Sequence, residues 1–552
     1  KFLKHFTFTT NLGVDLNNVR TYRFQNKVVG DGVTGGGTAS RTANEYRTIS
    51  LNQLLNYSQR FGGVHSVSVL AGHETQRVDE DYFNGSRRGM NLDGNEELAN
   101  FVTLAGVNGQ RDFMRREAYL SRVNYSYDNK YYLDLSYRRD ASSRFSPQSR
   151  WGNFYSVGAS WSIMREKFMA SASSWLSDLK IRAAYGTVGN DGLDSYYEYQ
   201  ALYSLGWNNA AEPGALFSTL SNPDLTWEVN KTASLGIDFG FFKNRITGSV
   251  ELFSRGSSEL LFDVPLGPSS IVTSQVANIG AMNNKGIELQ LGVDVVRAKD
   301  FNWKVDLNVT TLKNKITKLP DGNPITNGTK RLAEGQDIYA FYLRQWYGVD
   351  AEDGAGLWYA APGTTTSIRI SGKGDSLTTD PNNARFGYSG SAIPKFFGAI
   401  TNTVSYKGFT LSFLLNYQIG GKFYDGNYAG LMAISYGGSM HTDAMRAWKK
   451  PGDVTDVPRL DISRTSIFNT QSNRWLIDAS YLNMRNITLA YSLPREVVSK
   501  LHLDQAKIYV GGENLFILTK RKGMNPAESF TGTNSPVYVP NRLFNAGINV
   551  TF

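Results

Sequence analysis

The residues best equipped for chemistry in this chain are carboxylates: Asp238, Glu251, Glu288 and Asp306, with Arg245 and Lys304 among them. Two carboxylates flanking a bond are the machinery of glycoside hydrolysis, one donating a proton while the other attacks or activates water. Here the acids lie on separate segments, alternate with apolar neighbours and are interleaved with cations. That pattern describes the polar lining of a lumen, so no catalytic residue is expected and the chain reads as non-enzymatic. The five histidines (His5, His65, His73, His441 and His502) form no HExxH or other ligand spacing, so no metal site is expected. The run DAEDGAG from Asp350 resembles a calcium loop only faintly, lacking the spaced ligands and terminal Glu, and reads as a turn before Leu357, Trp358 and Tyr359. GVTGGGT (32–38) lacks the Lys-Ser/Thr of a phosphate loop and reads as flexible coil. The absence of cysteine removes disulfides and thiolate chemistry altogether. No cofactor is expected.

A second group is aromatic: Tyr196, Tyr197, Tyr199, Tyr203, Trp207 and Trp358, all in segments that read as loops. Exposed rings can stack on sugars or bases, because an aromatic face buries area beside polar neighbours. The same residues can instead pack loop against loop or join an interfacial girdle. They are the candidate substrate-binding residues.

What must position these groups is a long series of strands. Ala233, Leu235, Ile237 and Phe239 alternate with Thr232, Ser234, Gly236 and Asp238. Ile287, Leu289, Leu291 and Val293 oppose Glu288, Gln290, Gly292 and Asp294 in the same way. So do Phe301, Trp303, Val305, Leu307 and Val309 against Asn302, Lys304, Asp306, Asn308 and Thr310. Period-two alternation is a strand signal. A soluble sandwich also alternates; what discriminates is that strands of roughly ten residues recur along all 552 residues, joined by alternately short and long connections. No run approaches 18 apolar residues, which excludes a helical membrane protein. A mean hydropathy of −0.34 is compatible with a barrel, whose strands average out as polar. The net charge of +9 is dispersed, without a basic run or a nucleic-acid motif, so no nucleic-acid partner is expected.

The fold class that follows is all-β: a transmembrane antiparallel β-barrel with about sixteen spanning strands in this chain. The first eight fall near 6–16, 47–59, 64–76, 115–127, 131–140, 151–162, 178–188 and 228–240. The second eight fall near 244–256, 283–295, 301–312, 394–406, 409–420, 478–492, 505–517 and 541–552. Short turns lie at 61–63, 128–130, 241–243 and 406–408, and long connections at 17–46, 77–114, 189–227, 257–282, 313–393 and 421–477. Short turns face the periplasm in outer-membrane barrels and long loops face outside, which orients the chain. Parity makes the apolar stretch 338–349 an extracellular excursion or two short strands within a loop. PREVVSKLHL (494–503), within the connection 493–504, reads as a short helix at the barrel base. Phe552, an aromatic end to the final alternating strand, is the expected assembly signal.

Several segments resemble the SusC/RagA family of TonB-dependent outer-membrane transporters. The strongest are YLNMRNITLAYSLPREVV (481–498) and KIYVGGENLFILTKRKGMNPA (507–527). Others are YRRDASSRFSPQSRWGNFYSVGASWSI (137–163), LKIRAAYGTVGND (179–191), NPDLTWEVNKTASLGIDFGFFKNRITGSVELF (222–253), NIGAMNNKGIEL (278–289) and AIPKFFGAITNTVSYKGFTLSF (392–413). They run in the family's order.

The resemblance implies a 22-stranded barrel occluded by an N-terminal plug. It therefore makes residues 1–552 the C-terminal part of the barrel domain, with the plug, the TonB box and the first strands expected outside this chain. It implies active import of oligosaccharides or peptides, a SusD-like surface lipoprotein as lid, TonB acting through the plug segment, and outer-membrane lipids around the wall. The alternative is a passive sixteen-stranded porin, because sixteen strands running out and in can close.

Overall fold

The computed structural model describes residues 3–210, 212–435, 437–534 and 538–552. All sixteen expected segments are strands. The first eight are β1 (Phe6–Gln25), β2 (Thr38–Phe61), β3 (His65–Met90), β4 (Phe101–Tyr127), β5 (Tyr131–Ser142), β6 (Trp151–Ser162), β7 (Leu176–Asn190) and β8 (Glu228–Phe241). The rest are β9 (Ile246–Ser258), β10 (Ala281–Arg297), β11 (Phe301–Lys318), β12 (Phe396–Tyr406), β13 (Phe409–Ile419), β14 (Tyr481–Ser492), β15 (Gln505–Thr519) and β16 (Leu543–Thr551). They form one sixteen-stranded antiparallel sheet in chain order, with no crossover. Phe552 follows the last paired residue, Thr551, and is exposed.

The short turns are built from left-handed residues, as tight hairpins require. Gly62 and Gly63, Asp128 and Asn129, and Lys407 and Gly408 all have positive φ. The turn after β8 places Phe242, Lys243 and Asn244 there as well.

The chain divides into two compact units. The first holds the residues up to Trp161, Arg182–Ala233 and Ser257–Gly280; the second holds Ser162–Ile181, Ser234–Gly256 and Ala281–Phe552. In the first, β1 to β4 are 20, 24, 26 and 27 residues long. A bilayer needs only about 9–11 residues per strand. Segments 17–46 and 77–114 are therefore largely continuations of their strands, not loops as the sequence suggested. Above the membrane both faces of such strands meet water, so the apolar-polar alternation that marks a spanning strand disappears. The Gly-rich segment is also ordered: Gly30–Gly35 is a 3-10 turn, the Gly37 amide donates to Gly32 O at 2.8 Å, and the Met90 amide donates to Gly36 O at 2.8 Å. A Cβ on Gly32 would lie 2.4 Å from Asn26 O, so only glycine permits this closure.

In the second unit, 338–349 resolves into two short strands, Ala340–Arg344 and Trp346–Val349, within a loop lobe. Arg495–Lys500 is the expected short helix. The outer loops carry small apolar cores of their own. One gathers Met432, Val457, Phe468 and Trp475; another gathers Phe341, Leu343 and Ala392.

Candidate functional site

The alternation in β10 and β11 does what it predicted. Ile287 and Trp303 are exposed apolar residues on one face. On the other, Glu288, Gln290, Asp306, Asn308, Thr310 and Thr401 line a recess of about 710 Å³. Register sets this wall: Gly292 stands opposite Asp306, and Asp294 opposite Lys304. Lys304 Nζ lies 2.8 Å from Asp306 Oδ1, and Arg255 Nη2 lies 3.6 Å from Glu288 Oε1. Both pairs are half exposed, so they tune the field of the wall more than they stabilise it. Glu251 and Asp238 also have interaction partners. Arg245 departs from the expectation. It precedes β9, in the turn, and donates to the Asp294 and Val295 carbonyl oxygens at 2.9 and 2.6 Å, so it clamps the strand base and is not part of the lining.

The first unit holds a denser polar wall that sequence reading did not single out. Arg116 grips Asp191 with two hydrogen bonds, Nε to Oδ2 at 3.0 Å and Nη2 to Oδ1 at 2.6 Å. Ser142 Oγ donates to the same carboxylate at 2.7 Å. Arg138 bridges Glu74 at 2.7 Å and Asp140 at 2.7 Å. These groups line adjoining recesses of about 320 and 450 Å³. Their signal was present: Arg138 and Asp140 sit in the RRD of 138–140, and Asp191 ends the GND of 189–191. Pairing them, however, needs the β4–β5 register and the return of β7.

Behind that wall, Phe145, Phe154, Leu193, Leu225 and Trp227 form a buried core. Trp227 Nε1 donates to Arg150 O at 2.8 Å, and Arg144 Nη1 donates to the Asp191 and Leu193 carbonyl oxygens, each at 2.9 Å. Residues 144–154, 191–193 and 225–227, drawn mostly from three of the motif segments, thus meet as a structural anchor within the first unit.

The six candidate aromatics separate. Tyr199 packs against this core. Tyr196 receives the Arg144 guanidinium over its ring at 5.0 Å, and Tyr197 accepts a hydrogen bond from the Phe113 amide at 2.9 Å. Tyr203 and Trp207 are exposed, 54% and 60%, at the hairpin formed by Leu202–Leu205 and Ala215–Thr219. Trp358 is 2% exposed and meets Trp346 edge-on with centroids 5.0 Å apart, so it cannot stack on a ligand. It is a core residue of the loop lobe. Beside the hairpin, Asp194, Glu198 and Asp263 share a recess of about 410 Å³, where burial, then the two neighbouring acids, pushes the Glu198 carboxyl up.

In the second unit's loop lobe, cations are held on rings. Arg474 lies 4.5 Å from the Trp475 centroid and 4.9 Å from that of Trp346, and burial lowers its pKa to about 10. Lys330 Nζ sits 3.1 Å from the Phe341 centroid and donates to Tyr339 O at 3.1 Å; burial lowers it to about 7. The Tyr428 hydroxyl donates to Asp443 at 2.7 Å, which with Arg446 holds that carboxyl low. Arg521 ties the buried Asp425 at 2.6 Å.

With that geometry in place, comparison with known proteins is informative. Residues 3–515 match the family model described as TonB dependent receptor-like, beta-barrel. TonB-dependent receptor P3 of Formosa agariphila is 28% identical over all of this chain and 57% of its own length. TonB-dependent receptor SusC of Bacteroides thetaiotaomicron is 27% identical over 91% of this chain and 50% of its own. Among solved structures, the RagAB peptide transporter superposes over the whole chain with a TM-score of 0.86 at 27% identity, covering 60% of that chain. The same importer in its closed-closed state gives 0.87. The chain spans about half the length of the curated relatives it matches.

Proposed function

The chain belongs to the TonB-dependent receptor-like β-barrel family, and from that membership we propose that it forms the wall and outer loops of a SusC-like importer of oligosaccharides or peptides. It is an outer-membrane protein. The observation that carries the reading is its whole-length likeness, well above the level of fold alone, to the RagAB peptide importer. Its outer loops, packed around their own apolar cores, supply a rigid surface suited to a SusD-like lipoprotein lid. The exposed apolar face of the strands suits contact with outer-membrane lipids. TonB would act through a plug segment, and the polar walls would receive cargo when the plug yields. No catalysis is proposed. A passive porin is not favoured, because the family and the relatives named are receptors and importers.

The test is uptake in a strain lacking the gene, compared with its complemented parent, across defined glycans and peptides. Loss of one cargo class, with uptake abolished by collapsing the proton-motive force, is the expected result. Uptake that persists without proton-motive force would return the porin reading.

A further inference from the structure

β4 pairs with β3 along its whole length, from Met90 opposite Phe101 to His65 opposite Tyr127. On its other side β5 reaches only from Tyr127 up to Arg116. Among the described residues, no strand pairs with that side of β4 above Arg116. The direction of the backbone there is fixed by what remains. The Arg115 amide donates to Ser143 Oγ at 2.9 Å, the Ser143 amide donates to Arg115 O at 2.9 Å, and the Phe113 amide donates to Tyr197 at 2.9 Å. Backbone groups alternate sides in an antiparallel ladder. Arg111, Gly109 and Val107 therefore aim N–H and C=O the same way, away from β3. Among the described residues, of these three the Gly109 amide alone is capped, donating to its neighbour Asn108 Oδ1 at 2.9 Å.

An open ladder edge is a recognition surface for one kind of molecule. Its donors and acceptors repeat about every 6.8 Å, two residues of extended chain, which another polypeptide strand matches and a sugar chain does not. Val107 and Phe113 are exposed, 63% and 41%, and share a face with Gly109 and Arg111, and the missing side chain at Gly109 leaves room for an incoming one. The flat stretch is short. The register shift at Ser86/Arg87 interrupts the ladder above Val107, and the Arg111–Asp81 ion pair at 2.6 Å places charge on the edge. Bulges and charges discourage long edge-to-edge association between copies, yet they leave space for a short peptide.

We propose that residues 107–113 of β4 form a peptide-binding edge, on which an extended segment of cargo adds as a further antiparallel strand continuing the line of β5, with Tyr197 at its foot. The proposal rests on the import reading and narrows its cargo to peptides.

The test uses the full transporter with a fluorescein-labelled octapeptide of alternating Thr and Val, and the same peptide N-methylated at every second residue, which blocks one edge without changing side chains. N-methylation should weaken binding at least tenfold. Arg111→Pro and Arg111→Ala both lose the side chain and its ion pair with Asp81, but only the proline also loses the outward N–H, so Arg111→Pro should bind at least tenfold more weakly than Arg111→Ala. The amides of Val107 and Arg111 should exchange rapidly alone and at least tenfold more slowly with peptide. Equal binding of the two peptides overturns the proposal. Protection of those amides without peptide, from a second copy or another part of the protein, also overturns it. Peptide uptake that survives Arg111→Pro sinks the edge while leaving import standing; edge binding without uptake of any cargo sinks import while leaving the edge.

Discussion

Arg116 and Asp191 are joined by two parallel hydrogen bonds between β4 and the residue that follows β7, with Ser142 completing the carboxylate's coordination. Asp191 is 6% exposed, whereas the Arg116 side chain keeps 40% of its surface in solvent. Removing the acid leaves a half-screened guanidinium and an orphaned hydroxyl. Asp191→Ala should therefore cost about 1–3 kcal/mol, less than a fully buried pair. Because Arg144 holds the same corner, the damage should appear first as faster chymotryptic cleavage within 192–227, which carries Tyr, Phe, Leu and Trp but no Lys or Arg, with little change in the melting of the sheet.

The two faces of β10 should respond oppositely to charge. Ile287→Arg places a cation on the lipid face and should destabilise by about 2–4 kcal/mol if the site lies near mid-bilayer. Glu288→Arg, one residue on, faces the polar wall and should change stability by under about 1 kcal/mol. Urea unfolding in lipid vesicles separates them; equal costs would mean the alternation has been assigned to the wrong faces.

Lys330 gives the loop lobe a pH dependence. Its folded pKa, about 7, lies below the ordinary 10.5, so between those values the unfolded lobe holds a proton that the folded lobe does not. Stability is thus fully present above about 10.5, falls as pH drops toward 7, and is level below. The slope cannot exceed about 1.4 kcal/mol per pH unit and is reduced by partial solvent screening. Protease resistance of 325–391 should rise from pH 7.5 to 9.5, and Lys330→Met should flatten that profile.

The aromatics divide into structural and available groups. Trp358→Ala should cost about 3–5 kcal/mol through the cavity it leaves. Trp207→Ala and Tyr203→Ala should stay within about 0.5 kcal/mol, because both are exposed. Calorimetry of the three variants tests this; a large cost at Trp207 would place that hairpin in a packed interface.

Spanning strands were legible because a bilayer imposes a strict period on them: apolar residues such as Leu235 and Ile237 must face lipid while Asp238 must not. Parity alone placed Ile338–Val349 correctly inside a loop. What stayed hidden was whatever no period marks. The upper halves of β1 to β4 are wet on both faces, so Thr21 to Phe24 look like loop. Trp207 and Trp358 look alike in sequence, yet one is at a hairpin tip and the other in a core assembled from segments a hundred residues apart. The Arg116–Asp191 clamp was invisible for the same reason: 75 residues separate its halves. Arg245 was misplaced by a single position, since period-two reading continues into a turn where it no longer applies.

The length of β3 and β4 has a consequence for how the cell is seen from outside. Residues 101–114 extend past the spanning part of β4; about 14 residues at 3.3 Å each, tilted about 40°, carry the tip some 35 Å above the lipid headgroups. The turn around Gly94 therefore stands among the outward sugars of the cell surface, where an antibody or a phage tail fibre would meet it before it met the membrane.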